Sequence, residues 1–144
     1  MNSGELISSL LIDLQRLFKN EVTFKDISYS QILALISISD RGVEMSTLSW
    51  DLALDNSTVT RLVNRLEKKN LVFRKKSKKD KRLVKVCLTK EGEAIQNKIE
   101  EKIDFLGSKI ESQFSYDKKI DILNNLSSFQ WIIKKLFLTK KQNK

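Results

Sequence analysis

The sequence predicts a mainly α-helical chain with a small β wing, a helix-turn-helix near its centre and apolar helices at both ends. Three observations predict this. Apolar residues recur at spacings of three and four over most of the chain. Period-two alternation appears only between Leu71 and Leu88. Charge is concentrated in that same region: residues 61–90 hold thirteen basic and two acidic side chains, a net of +11 in a chain whose total is +9. The pI near 9.7 therefore reflects one patch on an otherwise balanced protein. A local cluster of this kind is the footprint of a polyanion binder, because each Lys or Arg placed at a phosphate releases condensed counterions.

Taken in order, Leu6, Ile7, Leu10, Leu11, Leu14, Leu17 and Phe18 give the first helix, Glu5 to Phe18, an unusually wide apolar stripe. A second helix starts at Ser28-Tyr-Ser-Gln31, where the Ser28 hydroxyl and the Gln31 amide can satisfy each other's backbone donors. It is expected to run through Ile38 and to stop at Asp40-Arg41-Gly42. Val43, Glu44 and Met45 suit a very short strand, and Ser46 or Thr47 is the expected cap of a third helix with Leu48, Leu52 and Ala53 inward. Leu54-Asp55-Asn56 breaks it, and Asp55 is the natural cap of a fourth helix because its carboxylate meets both backbone donors and the positive end of the dipole.

On that fourth helix Val59, Leu62, Val63 and Leu66 define the buried side. The opposite side collects Ser57, Thr60, Arg61, Asn64 and Lys68, with Arg65 at its edge. These groups suit base edges and phosphates, whereas an ordinary solvated helix face would mix in acids. Leu71 to Lys76 and Arg82 to Leu88 follow as strands, joined by Ser77-Lys-Lys-Asp-Lys81. That connection lacks a Gly or Asn-Gly turn signal and reads as a longer, mobile loop able to lie along a minor groove. Asp80 is the acid at the tip of the patch, and it is assigned to pairing with Arg82 or another wing arginine. After Thr89, Ile95, Ile99, Ile103, Leu106, Ile110 and Phe114 mark a long helix to about Gln113. A last helix restarts at Tyr116-Asp117, and the Lys-rich tail after Thr139 reads as disordered. Its final turns, Phe129 to Leu138, are apolar on nearly every side, so Leu6, Leu10, Leu14 and Phe18 with Phe129, Trp131, Ile132, Leu136 and Phe137 are the expected dimer interface. A large internal core is the alternative.

Composition narrows the function. With no His, the commonest general base and metal ligand are missing, and no catalytic constellation, cofactor motif or metal site is visible. The single cysteine, Cys87, excludes an intrachain disulfide and fits a reducing compartment. The N-terminus lacks the basic start of a signal peptide, and no apolar run approaches the ~20 residues of a membrane span. The expectation is a cytoplasmic protein of one domain, residues 1–144, with a DNA-binding lobe at about 28–90 and dimerisation helices at about 3–20 and 91–140.

Ser57-Thr-Val-Thr-Arg-Leu-Val-Asn-Arg-Leu-Glu-Lys-Lys-Asn-Leu-Val72, followed by Asp80-Lys-Arg82, Val86-Cys-Leu-Thr89 and Gly92, resembles the recognition helix and wing of the MarR (multiple antibiotic resistance regulator) family of dimeric winged helix-turn-helix transcription factors. The resemblance implies a homodimeric regulator, a repressor, that binds a pseudopalindromic operator in double-stranded DNA and is released by a small-molecule effector. Ser57, Thr58, Thr60, Arg61, Asn64, Arg65 and Lys68 would serve the major groove. Arg74, Lys76, Lys78, Lys79, Lys81 and Arg82 would serve the wing, with Asp80 holding Arg82 at the minor groove. Asn70 and Ala53 stand where the family usually has Gly. Phe18, Tyr29, Trp50 and Trp131 could line an effector cavity, and suit ordinary core as well. A protein-interaction or anti-regulator module that docks an acidic partner is the alternative from another class.

Overall fold

The computed structural model describes residues 1–142, in two compact units, residues 1–104 and 105 onward. The first contains α1 (Ser3–Glu21), α2 (Tyr29–Ile36), β1 (Val43–Glu44), α3 (Met45–Leu52), α4 (Asn56–Lys68), β2 (Val72–Lys76), β3 (Val84–Leu88) and most of α5 (Lys90–Glu111). The second holds the end of α5 and α6 (Tyr116–Gln142). The expected mainly helical fold with a small antiparallel sheet is what is found.

The sheet has the order β1-β3-β2, so the strand that returns from the hairpin lies in the middle. Val43 pairs with Val86, and Arg74 pairs with Val86 from the other side. That register puts Val86 at the centre of the sheet, where it is fully buried. Beneath it Ile32, Leu35, Ile38, Leu48, Val59, Val63, Leu66 and Ile99 form the core of the first unit. At roughly 1.5–3 kcal/mol for each large apolar side chain removed from water, this cluster is the main stabilising term.

Two glycines are fixed by close backbone approaches. A Cβ on Gly92 would sit 1.9 Å from the Leu71 carbonyl oxygen, and one on Gly42 would sit 2.5 Å from the Cys87 sulfur. Gly42 also has φ +78°, a region that L side chains rarely adopt. It therefore serves the approach to β3 rather than stopping α2. That helix ends earlier than the sequence pattern suggests, at Ile36, because the Ser37 and Ile38 amides bond three residues back, to the Ala34 and Leu35 carbonyls at 3.1 and 3.3 Å, and tighten the last turn. The carbonyls of Leu35 and Ile38 also accept from the buried Gln96 amide, at 2.7 and 2.8 Å.

Other boundaries also move. The cap of α3 is Glu44, which makes no side-chain capping bond, while Ser46 and Thr47 lie exposed on the helix. Met45 is helical and not part of the strand. Ala53 is exposed rather than inward, with φ +52°, and Asn70 has φ +58°. Both take the left-handed conformation that a glycine would adopt more easily. The segment after Thr139 is helical through Gln142 and not disordered, because the Thr139 hydroxyl bonds to the Lys135 carbonyl and α6 simply continues; Asn143 and Lys144 lie outside the described residues.

The terminal helices contrast with this core. Among the described residues α1 buries none of its side chains. Within the second unit Phe129, Trp131, Ile132, Leu136 and Phe137 of α6 are all exposed. Among the described residues no helix is long and apolar enough to cross a membrane.

Candidate nucleic-acid interface

The helix-turn-helix is made by a three-residue turn, Ala53-Leu54-Asp55, between α3 and α4. Ser49, buried on α3, locks it: its hydroxyl donates to the Leu54 carbonyl at 2.6 Å, and the Leu54 amide returns to the Ser49 carbonyl at 3.0 Å. Asp55 then caps α4, as its position suggests. The Ser57 hydroxyl donates to one carboxylate oxygen at 2.6 Å and the Thr58 amide to the same oxygen at 2.7 Å, while the Thr58 hydroxyl donates to the other at 2.9 Å. These bonds, the Ser57 one first, with Arg61 nearby, hold the Asp55 carboxyl far below the usual carboxylate range. Asp55 thus organises the first turn as a carboxylate acceptor.

Val59, Leu62, Val63 and Leu66 turn inward, and Ser57, Thr60, Arg61, Asn64, Arg65 and Lys68 lie exposed on the outer side; Thr58 is half-buried. The hydroxyls differ from the guanidinium groups in what they have left to offer. Ser57 and Thr58 give their protons to Asp55, and Thr60 gives its proton to the Asn56 carbonyl at 2.8 Å. Toward an incoming ligand all three present acceptor lone pairs and not donors. An open cleft of about 240 Å³ opens beside Arg61 and Arg65, bounded by Ser30, Leu54, Thr58 and Leu62.

The wing loop, residues 77–83, is closed by two backbone bonds: Ser77 N–H to the Leu83 carbonyl at 2.8 Å, and Leu83 N–H to the Asp80 carbonyl at 2.9 Å. Ser77 is buried at its base. At the tip Asp80 accepts from both the backbone amide and the guanidinium of Arg82, at 3.0 and 3.3 Å. Arg82 itself is almost fully exposed, 91% for its side chain, so Asp80 aims it without covering it. Lys76, Lys78, Lys79 and Lys81 are exposed around it.

Two basic residues of the patch are employed inside the protein. The Arg74 guanidinium, half-buried, donates to Glu67 at 2.8 Å, to the Asn64 side-chain oxygen at 2.6 Å and to the Thr60 carbonyl at 3.3 Å. It ties β2 to α4. Lys69 donates to the buried Gln31 side chain at 2.9 Å and to the Asp26 carbonyl, tying the end of α4 to the cap of α2. Glu67 was legible only as an acid in a basic stretch, and nothing in local spacing marks its partner. Cys87 is buried in β3. Of the aromatic candidates in the first unit, Phe18 and Tyr29 meet edge to face at 6.2 Å, and Trp50 is exposed on α3. Trp131 belongs to the second unit.

Known proteins share this arrangement. The family model described as MarR family matches residues 27–84, the span from the cap of α2 to the start of β3. The HTH-type transcriptional regulator SarZ of Staphylococcus aureus is 30% identical over 115 residues, covering 78% of this chain and 75% of its own. Among solved structures, FabT of Streptococcus pneumoniae in complex with DNA is similar over 92% of this chain and 96% of that one, with 27% identity and a TM-score of 0.75. A MarR transcriptional regulator from Methanosarcina mazei matches over the same shares, with 25% identity and a TM-score of 0.76. With its helix-turn-helix, basic wing and these likenesses, the chain belongs to the MarR family and is a DNA-binding transcriptional regulator of that type.

Proposed function

We propose that this regulator is a homodimeric cytoplasmic repressor of a pseudopalindromic operator, with α4 in the major groove, the wing in the minor groove, and a small-molecule effector that releases it. The observation that carries this reading is the surface formed by α4 and the wing tip, where Arg61, Arg65, Lys68, Lys78, Lys79, Lys81 and Arg82 are all exposed. The exposed apolar residues of α1 and α6, which a second copy would bury, support the twofold symmetry of this reading. Two readers then meet half-sites about one helical turn (~10 bp) apart. Arg82 at a narrow minor groove meets concentrated negative potential. Arg82→Ala is expected to weaken operator binding about tenfold and to lower the slope of log affinity against log salt by about one, with the fold unchanged. A fluorescence-anisotropy titration over several salt concentrations measures both. Equal affinity and slope for the two proteins would exclude the wing role. A wild type with little salt dependence and no enriched site would favour a docking module for an acidic protein instead.

A further inference from the structure

The Arg74 fork limits what Asn64 can say to a base. Asn64 lies exposed in the middle of α4, and its side-chain oxygen accepts from Arg74 at 2.6 Å. A guanidinium can only donate, so the atom facing it must be the carbonyl oxygen, and this fixes which end of the amide is which. Arg74 is itself held through its other terminal nitrogen by Glu67, at 2.8 Å, and the nitrogen that reaches Asn64 also donates to the Thr60 carbonyl. The oxygen of Asn64 is therefore turned toward β2, and its amino group is the end left for an incoming ligand. Resting on the DNA-binding reading above, we propose that Asn64 is a donor-only base reader that selects guanine, with Arg74 as the residue that positions it.

The usual amide reading of a base uses both ends at once: the oxygen accepts from the adenine amino group while the nitrogen donates to adenine N7. Here that pairing is opposed twice. The oxygen already accepts a short charge-assisted bond, which weakens it as an acceptor for a second donor. An adenine amino group approaching its remaining lone pair would also meet the positive guanidinium. Guanine presents two acceptors, N7 and O6, on the same edge and meets neither obstacle. The adenine-reading amide becomes a guanine-reading one because a wing strand holds its other end.

The test is selection of sites from randomised duplexes by the full-length protein, run for the wild type, Asn64→Ala, Asn64→Asp and Arg74→Met. The position at which Asn64→Ala alone relaxes the motif identifies the base pair concerned. The wild type is expected to prefer guanine over adenine there by on the order of tenfold. Asn64→Asp keeps an acceptor for Arg74 but exchanges the amino donor for a second acceptor, so cytosine, with its amino group, should replace guanine at that position. This variant keeps the tie to β2 and so guards against a failure of folding. Arg74→Met should admit adenine at the same position while the rest of the motif stays unchanged. Adenine in the wild type, guanine retained or no preference in Asn64→Asp, or a motif that Asn64→Ala does not alter, would each overturn the proposal while leaving the operator reading intact. Failure of the wild type to enrich any motif would instead remove the operator reading on which it rests.

Discussion

α4 and the last turns of α6 are built from the same kinds of apolar residue and use them in opposite ways. On α4 Val59, Leu62, Val63 and Leu66 are buried against the sheet and its neighbouring helices, and Ser57, Thr60, Arg61, Asn64, Arg65 and Lys68 are turned out. On α6 Trp131, Ile132, Leu136 and Phe137 are each more than half exposed. A helix of the first kind is finished when its own chain folds. One of the second kind leaves an apolar surface that water does not favour, and a second copy is the simplest cover. The lesson is that the reading head is complete in one chain, whereas the proposed dimer would take its spacing between two heads from a second copy.

Substitutions that separate the two regions test this contrast. The largest effect is expected from Leu66→Ala, which empties a fully buried position under the reading head. It should cost about 2–5 kcal/mol of stability, read by denaturant unfolding. A loss near that of an exposed leucine, under about 0.5 kcal/mol, would show that the core is not where the packing puts it. Next comes the pair Trp131→Glu with Ile132→Glu, on surface that the single chain leaves open. Sedimentation should show a dimer for the wild type and a monomer for the variant, with an intact helical spectrum. Operator affinity should drop about 100-fold, as one half-site replaces two. A variant that stays dimeric would take this part of α6 out of the interface. The smallest effect is expected at Ala53, whose left-handed backbone carries a Cβ penalty. Ala53→Gly should stabilise the protein by about 1 kcal/mol in the same unfolding measurement, offset in part by the greater freedom of glycine in the unfolded chain. A lower midpoint would mean that the turn gains more from alanine's stiffness than it loses to strain.

What could be read in advance was what local spacing encodes. The capping box of Ser28 and Gln31, the Asp55 cap, the buried stripe of α4 and the pairing of Asp80 with Arg82 all involve residues within a few positions of each other, and all are present. What could not be read depends on chain that returns from a distance. Gln96 closes the end of α2 from across the core, and without it the period of apolar residues runs on to Ile38 and suggests a longer helix. Lys69 and Arg74 look like further cations for phosphate, yet each is committed to a partner on another element. The charge of a patch is visible in sequence; which of its charges are already occupied is not.

The register of the wing has one more consequence. Lys75 and Lys85 are direct cross-strand partners in the hairpin, and Glu44 of β1 faces Lys85 from the other side. Two like charges opposite each other oppose the pairing of their strands. Glu44 offsets that repulsion from the far side of Lys85, so the middle strand holds its lysine between one charge that opposes pairing and one that favours it. A phosphate backbone lying along the wing would bring negative charge to Lys75, the partner that Glu44 does not face.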